Sequence, residues 1–329
     1  MGGLFMRQKF KQFGYYLIII VLLPYVITVF INGPSIATSS HVDGTYVKVR
    51  LGESQALDGE RGELKEAESA GDDGDSGSDT EGGIAELPIE DYCIGIMAKE
   101  VLPDYDKEML KAQAILVRTD VYRRIEKEGS DMVLEDSFWT QKEMEKAWGV
   151  TRYSRYYNKL RSAWRDTEGQ VLMYDGKPAM TPFFRLSNGS TRDGKEVLGK
   201  GYPYLKITEC PFDIEAEEQI QTVTLEDMDA EVEKCDTAGY VLSVRVGKEK
   251  VSGEEFRTNY HLASSCFTLQ KYNGKLRITT RGVGHGLGMS QNTANELAKA
   301  GRNYEEILEE FFTDTEIKEV TDIVSADRR

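Results

Sequence analysis

The string RGVGHGLGMSQ, Arg281 to Gln291, carries glycine at 282, 284, 286 and 288 around one histidine, His285. Glycine at every second position of an extended segment strips one face of side chains, so a backbone or a ligand can approach closely, while His285 projects from the other face. A glycine-rich strand packed on a helix, with the histidine satisfied in the interior, has the same pattern. Dinucleotide and Walker fingerprints fail, because the third glycine and the lysine they require are missing. Glu100 is the second group of interest. It ends an apolar helical run just ahead of Leu102-Pro103, where proline opposes further helix. A carboxylate at a helix C-terminus faces the negative end of the macrodipole, and partial burial desolvates it. Both effects raise its pKa, which suits a general acid, although a glutamate at a helix end is more often a surface residue.

Arg118 follows Lys111 by seven residues on one helical face. It is a candidate anion binder, a partner for Glu100, or half of a structural salt bridge. The cysteines, Cys93, Cys210, Cys235 and Cys266, form no C-x-x-C and have no histidine at zinc-finger spacing, so nothing selects a pairing. A Cys266 nucleophile served by His261 or His285 is an alternative chemistry, that of a secreted cysteine peptidase.

These residues need elements to hold them. Residues 87–320 are expected to form one folded domain. It opens with helices, the second carrying Leu110, Ala114, Val117, Val121 and Ile125 as a stripe of helical period. Two further helical stretches follow, around Gln141 to Trp148 and Tyr153 to Asp166. After Gly169 come short alternating runs with turn signals, among them QVLMYDGKPAM, QIQTVTL, GYVLSVRV and KLRITTRG. Two helices close the chain on either side of Gly301, before a short tail over 321–329. This order predicts an α+β fold: a single mixed domain with N-terminal helices, a central antiparallel-rich β region and C-terminal helices.

What precedes the domain differs from it. Residues 1–12 read as a cytoplasmic N-terminus, and Phe13 to Ile31 form an uncharged apolar run of 19 residues. At about 1.5 Å per residue it spans roughly 28 Å, near the hydrocarbon thickness of a bilayer. Arg7, Lys9 and Lys11 before it predict a single-pass cell-membrane anchor, with the domain outside the cell behind a transmembrane helix. Residues 32–86 are expected to be an extracytoplasmic linker. From Gly52 to Glu86 they hold twelve acidic residues against two basic ones, the larger part of the net charge of −15. That balance excludes nucleic acid as a partner. One strand-like run, Thr45 to Leu51, precedes the acidic stretch.

Three blocks, Glu86 to Thr119, Phe183 to Lys206 and Gly282 to Phe312, resemble in order and spacing those of the stage II sporulation protein D family. Two positions depart from its pattern: Val101-Leu102-Pro103 stands for the usual Met-Pro, and Ser190 replaces a glycine. The resemblance implies a lytic transglycosylase that cuts peptidoglycan glycan strands stripped of their stem peptides, during engulfment in sporulation. It places the catalytic glutamate on Glu100. It also implies Arg118, Ser187 and Asn188 as polar contacts to the sugar, with His285, Ser290 and Gln291 lining or supporting a groove opened by the bare glycines. A membrane scaffold of the engulfment machinery and a peptidoglycan amidase are the implied partners. Some relatives carry a zinc cluster of histidine and cysteine after the second helix; Glu126 to Trp148 has neither residue type here, so no metal and no cofactor are expected. The family is also similar to amidase-activating and wall-binding modules that do not cut, which is the alternative function.

Overall fold

The computed structural model describes residues 45–52 and 83–320. The expected cytoplasmic start, the apolar run over 13–31, most of the acidic stretch and the tail over 321–329 lie outside the described residues. The expectation of an α+β domain behind a transmembrane helix is corrected. Among the described residues no helix is long and apolar enough to cross a membrane. The longest, Lys107–Glu128, is interrupted throughout by charged side chains. The described chain is a mixed α/β structure that opens with strands rather than helices, and it pairs strands in parallel as well as antiparallel.

Strand Tyr46–Arg50 lies between Ile84–Pro88, antiparallel, and Val133–Leu134, parallel. Its alternation buries Val47 and Val49. The strand-like run inside the expected linker therefore packs with the folded unit. A bond from Leu51 N–H to Gly83 O (2.9 Å) brings the two sides of the acidic stretch together.

Helix Ile89–Glu100 follows directly and buries Ile89 and every residue from Tyr92 to Ala98. It stops where Val101 turns extended, its N–H bonded to Met97 O. That break leaves Lys99 and Glu100 exposed at the helix end. Asp106 caps the next helix, Lys107–Glu128, by accepting from Glu108 N–H, and Gly129, at φ 92°, ends it. This helix is the centre of the main core. Helices Ile89–Glu100, Val150–Asp166, Gln291–Lys299 and Tyr304–Phe311 all pack against it, and Met109, Leu110, Ile115 and Leu116 are fully buried.

A second core belongs to two antiparallel three-stranded sheets. In one, Lys275–Arg281 runs between Phe267–Tyr272 and Ile220–Glu226; in the other, Val241–Val246 runs between Glu249–Ser252 and Ala230–Cys235. Val244, Phe256 and Ile278 fill it. The short parallel pair Phe183–Phe184 with Met289–Ser290 ties the glycine-rich string to the chain around residue 183.

Candidate functional site

The glycine-rich string bends back on itself, because Gly282, Gly284, Gly286 and Gly288 all have positive φ. Its bare positions are filled by the protein. A Cβ on Gly286 would lie 2.3 Å from Tyr240 Cζ, and one on Gly288 would lie 2.0 Å from Pro182 O. The expected groove along the glycines is thus replaced by close packing of the chain on itself. What the tight loop does is hold His285 against Phe184, ring centroids 5.7 Å apart.

His285 lines a cleft of about 380 Å³, and Glu100 lines the same cleft. Ile96 and Val121 supply apolar wall, Met180 to Phe183 the side toward the histidine, and Asp120, Arg123, Arg124 and Asp136 a charged side. The charged groups are mutually committed. Asp120 accepts from Arg123 at 2.7 Å and from Arg124 at 2.5 Å. Asp136 accepts from Arg124 at 2.6 and 2.8 Å and from Tyr92 Oη at 2.8 Å. Glu100 differs: among the described residues none donates a hydrogen bond to it, and its surroundings hold it above the usual carboxylate range. Desolvation is the main cause; Lys99 opposes it, and Asp136 adds to it.

His285 is the reverse case. Burial of the ring lowers its pKa to about 4, with Glu254 opposing and Arg257 and Arg192 reinforcing the shift. Nδ1 accepts from Leu287 N–H at 3.1 Å, so the neutral ring carries its proton on Nε2, on the side of the Phe183 backbone. An imidazole whose folded pKa lies below its unfolded value stabilises the fold fully above about pH 6.5 and loses that contribution as pH falls toward 4. Over this window stability is expected to drop by roughly 1–3 kcal/mol on account of His285. Chemical denaturation across the range should show a shallower slope for His285→Gln; an identical slope would exclude the histidine as its source.

The other expected site residues are placed elsewhere. Arg118 is fully buried. Its guanidinium lies 3.8 Å from the Trp164 ring centroid and donates to the carbonyl oxygens of Trp164 (3.0 Å), Thr167 (2.8 Å) and Gln170 (3.1 Å). It caps the C-terminus of helix Val150–Asp166, a structural use of its charge. Ser187 and Ser290 meet at Asp213, which is fully buried and accepts from Ser187 N–H and Ser290 Oγ, each at 2.7 Å. Thr293 Oγ1 and Asn292 Nδ2 complete the set at 2.9 and 3.1 Å. Asn188 donates to Ala238 O (2.7 Å) and Cys266 Sγ (3.3 Å). Gln291 donates to the buried Gln113 at 3.2 Å.

Sequence reasoning missed Asp213, Asp136 and Arg192. Arg192 donates to Asp236 (2.6 Å), Glu254 (3.0 Å) and the carbonyl of His285 (3.1 Å), fastening the histidine loop to the second core. All four cysteines are free thiols. Burial raises the Cys266 pKa, the opposite of an activated nucleophile, and its sulfur contacts Asn188 and Gly239 O rather than a histidine. No group of three or more metal-ligating side chains occurs among the described residues.

Comparison with known proteins gives a consistent set of relatives. The family profile described as SpoIID, stage II sporulation protein, matches residues 78–174, which include Glu100 and Arg118. Stage II sporulation protein D of Bacillus amyloliquefaciens is 28% identical over 267 residues, 74% of this chain and 77% of that protein. The protein of the same name from Bacillus subtilis (strain 168) is 29% identical over 72% of this chain and 76% of its own length. An uncharacterised protein of Brachyspira hyodysenteriae is 26% identical over 71% of this chain and 67% of its own length.

Proposed function

The chain belongs to the stage II sporulation protein D family, and from that premise we propose that it is a sporulation protein of the cell envelope that cleaves peptidoglycan glycan strands as a lytic transglycosylase, with Glu100 as its one acid and base. The observation that carries this reading is the state of the carboxylates in the cleft. Asp120 and Asp136 are bound by guanidinium groups, while Glu100 is exposed, has no such partner among the described residues and has its pKa raised, chiefly by desolvation.

Hydrolysis by water normally uses two carboxylates flanking the bond. One suffices when the sugar attacks itself. Glu100 donates its proton to the bridging oxygen as the glycosidic bond breaks. The carboxylate so formed takes the proton from the 6-hydroxyl of the same muramic acid residue, whose oxygen closes on the anomeric carbon. The product is a 1,6-anhydro end, Glu100 is again protonated, and no water is consumed. His285, neutral across the working range, acts as a fixed wall of the cleft and not as the proton donor. Ser187, Asn188, Ser290 and Gln291 shape the loops behind that wall, and Arg118 fastens its own helix, which lines the cleft, to the end of helix Val150–Asp166. Strands stripped of stem peptides imply an amidase acting upstream, so a peptidoglycan amidase and a membrane scaffold of engulfment are the proposed partners.

Incubation of the protein with peptide-free glycan strands, followed by mass spectrometry of the ends, tests the reading. Anhydro-muramic ends are expected. Intact strands that nevertheless bind, or that stimulate a partner amidase, would favour a non-cutting module. The same assay reads the electrostatics. Asp136 pushes the Glu100 pKa up, so Asp136→Asn should lower it, and the alkaline limb of kcat/KM should move to lower pH because the acid form is lost earlier. A limb that stays in place or moves to higher pH would contradict the assignment of Asp136.

A further inference from the structure

The cleft of Glu100 shares Asp136 and Ser137 with a second cleft of about 330 Å³, whose walls include Arg50, Lys99, Glu135 and Trp139. Four cations face the two clefts, and three are committed to carboxylates. Arg50 donates to Glu135 at 2.9 Å, Arg123 to Asp120 at 2.7 Å, and Arg124 to Asp120 and Asp136 at 2.5 and 2.6 Å. The fourth, Lys99, is exposed, and among the described residues its ammonium reaches only the hydroxyl of Ser137. The acids of the second cleft are committed as well: Glu135 to Arg50, Asp136 to Arg124, and Glu143 to Thr140 at the start of its helix. One ammonium with donors to spare therefore lines the second cleft, bonded to the Ser137 that both clefts share and one residue before Glu100.

Resting on the reading of Glu100 as the glycan-cleaving acid, we infer that Lys99 binds the lactyl carboxylate of the muramic acid residue whose bond is cut, and so selects strands that have lost their stem peptides. In a peptide-bearing strand the lactyl group is a neutral amide; only hydrolysis of that amide exposes a carboxylate. An ammonium has three N–H donors. Ser137 takes one and orients the group, which leaves two for a carboxylate in a charge-assisted pair. The pair reads one chemical difference, acid against amide, and the reaction that must supply this substrate is an amide hydrolysis.

The test uses short glycans of alternating N-acetylglucosamine and muramic acid in two versions, the lactyl group free or capped as its simple amide. The native protein should prefer the free acid by about tenfold to a hundredfold in kcat/KM, the range of a hydrogen bond to a charged group. Lys99→Met should bring the ratio near one, Lys99→Arg should keep it, and Lys99→Glu should invert it. Lys99 also lowers the Glu100 pKa, so each ratio is taken on the pH-independent plateau of kcat/KM, where a shift of that pKa drops out. A native ratio near one, or a ratio unchanged in Lys99→Met, overturns the inference while leaving glycan cleavage standing. Calorimetric titration of both versions into Glu100→Gln separates the remaining cases. Binding that needs both the carboxylate and Lys99, with no cleavage by the native protein, supports Lys99 and refutes the lytic reading; absence of such binding refutes Lys99.

Discussion

Replacing Glu100 by glutamine is expected to lower glycan cleavage on the order of a thousandfold while leaving the thermal transition within a degree or so of native. General acid–base catalysis by a positioned side chain contributes about 10²–10⁴ in rate, and here one group serves both proton transfers. No neighbour can substitute, since Asp120 and Asp136 are held by Arg123 and Arg124 and Asp136 also by Tyr92. Stability should not follow activity. Glu100 is exposed, and a carboxylate held above its usual pKa gains nothing from its surroundings by being charged. The check is a turnover series on peptide-free strands beside a melting curve. A variant that keeps a tenth of native activity would remove Glu100 from the chemistry.

The largest effect on stability is expected not at the acid but at Arg192. This side chain and its partner Asp236 are 3% and 1% exposed, with Nε to carboxylate oxygen at 2.6 Å. Arg192→Met leaves the buried Asp236 carboxylate without its counter-charge, with Tyr240 N–H at 2.7 Å still donating to it, and removes a donor from the His285 carbonyl. Breaking a buried pair from one side costs about 3–5 kcal/mol, because the remaining charge keeps its desolvation penalty. For a domain of this size that corresponds to a fall in Tm of about 10 °C. Removing both charges, Arg192→Met with Asp236→Leu, should recover part of the loss. Urea titration of Arg192→Met, Asp236→Leu and the double variant gives the cycle. A loss under 1 kcal/mol in Arg192→Met would show that Asp236 finds another partner.

Local chemistry was legible wherever neighbours in sequence are also neighbours in space. The stop of the first helix before Leu102-Pro103 and the hairpin over Asp175-Gly176, both at positive φ, need no knowledge of the rest of the chain. The position of Glu100 at the end of that helix followed from the same kind of signal. Arg118 was misleading because its partners, the carbonyls of Trp164 and Thr167 at the end of another helix and of Gln170 at the start of the next strand, show nothing in the side-chain sequence. Ser187 and Ser290 came from the resemblance as sugar-facing groups, yet the Ser187 backbone N–H and the Ser290 hydroxyl both bond Asp213, which joins them only in three dimensions. The glycines did signal close approach, but the approaching groups are Tyr240 and Pro182 and not a ligand. Strand Tyr46–Arg50 read as an isolated run because its partners, Ile84–Pro88 and Val133–Leu134, come only after the acidic stretch.

Digestion of peptide-free strands in heavy-oxygen water tests the central claim most directly. If Glu100 drives attack by the sugar's own hydroxyl, every new muramic end is the anhydro form and carries no label from solvent. Labelled reducing ends, one heavy oxygen per cut, would mean that water is the nucleophile and that the single-acid account is wrong.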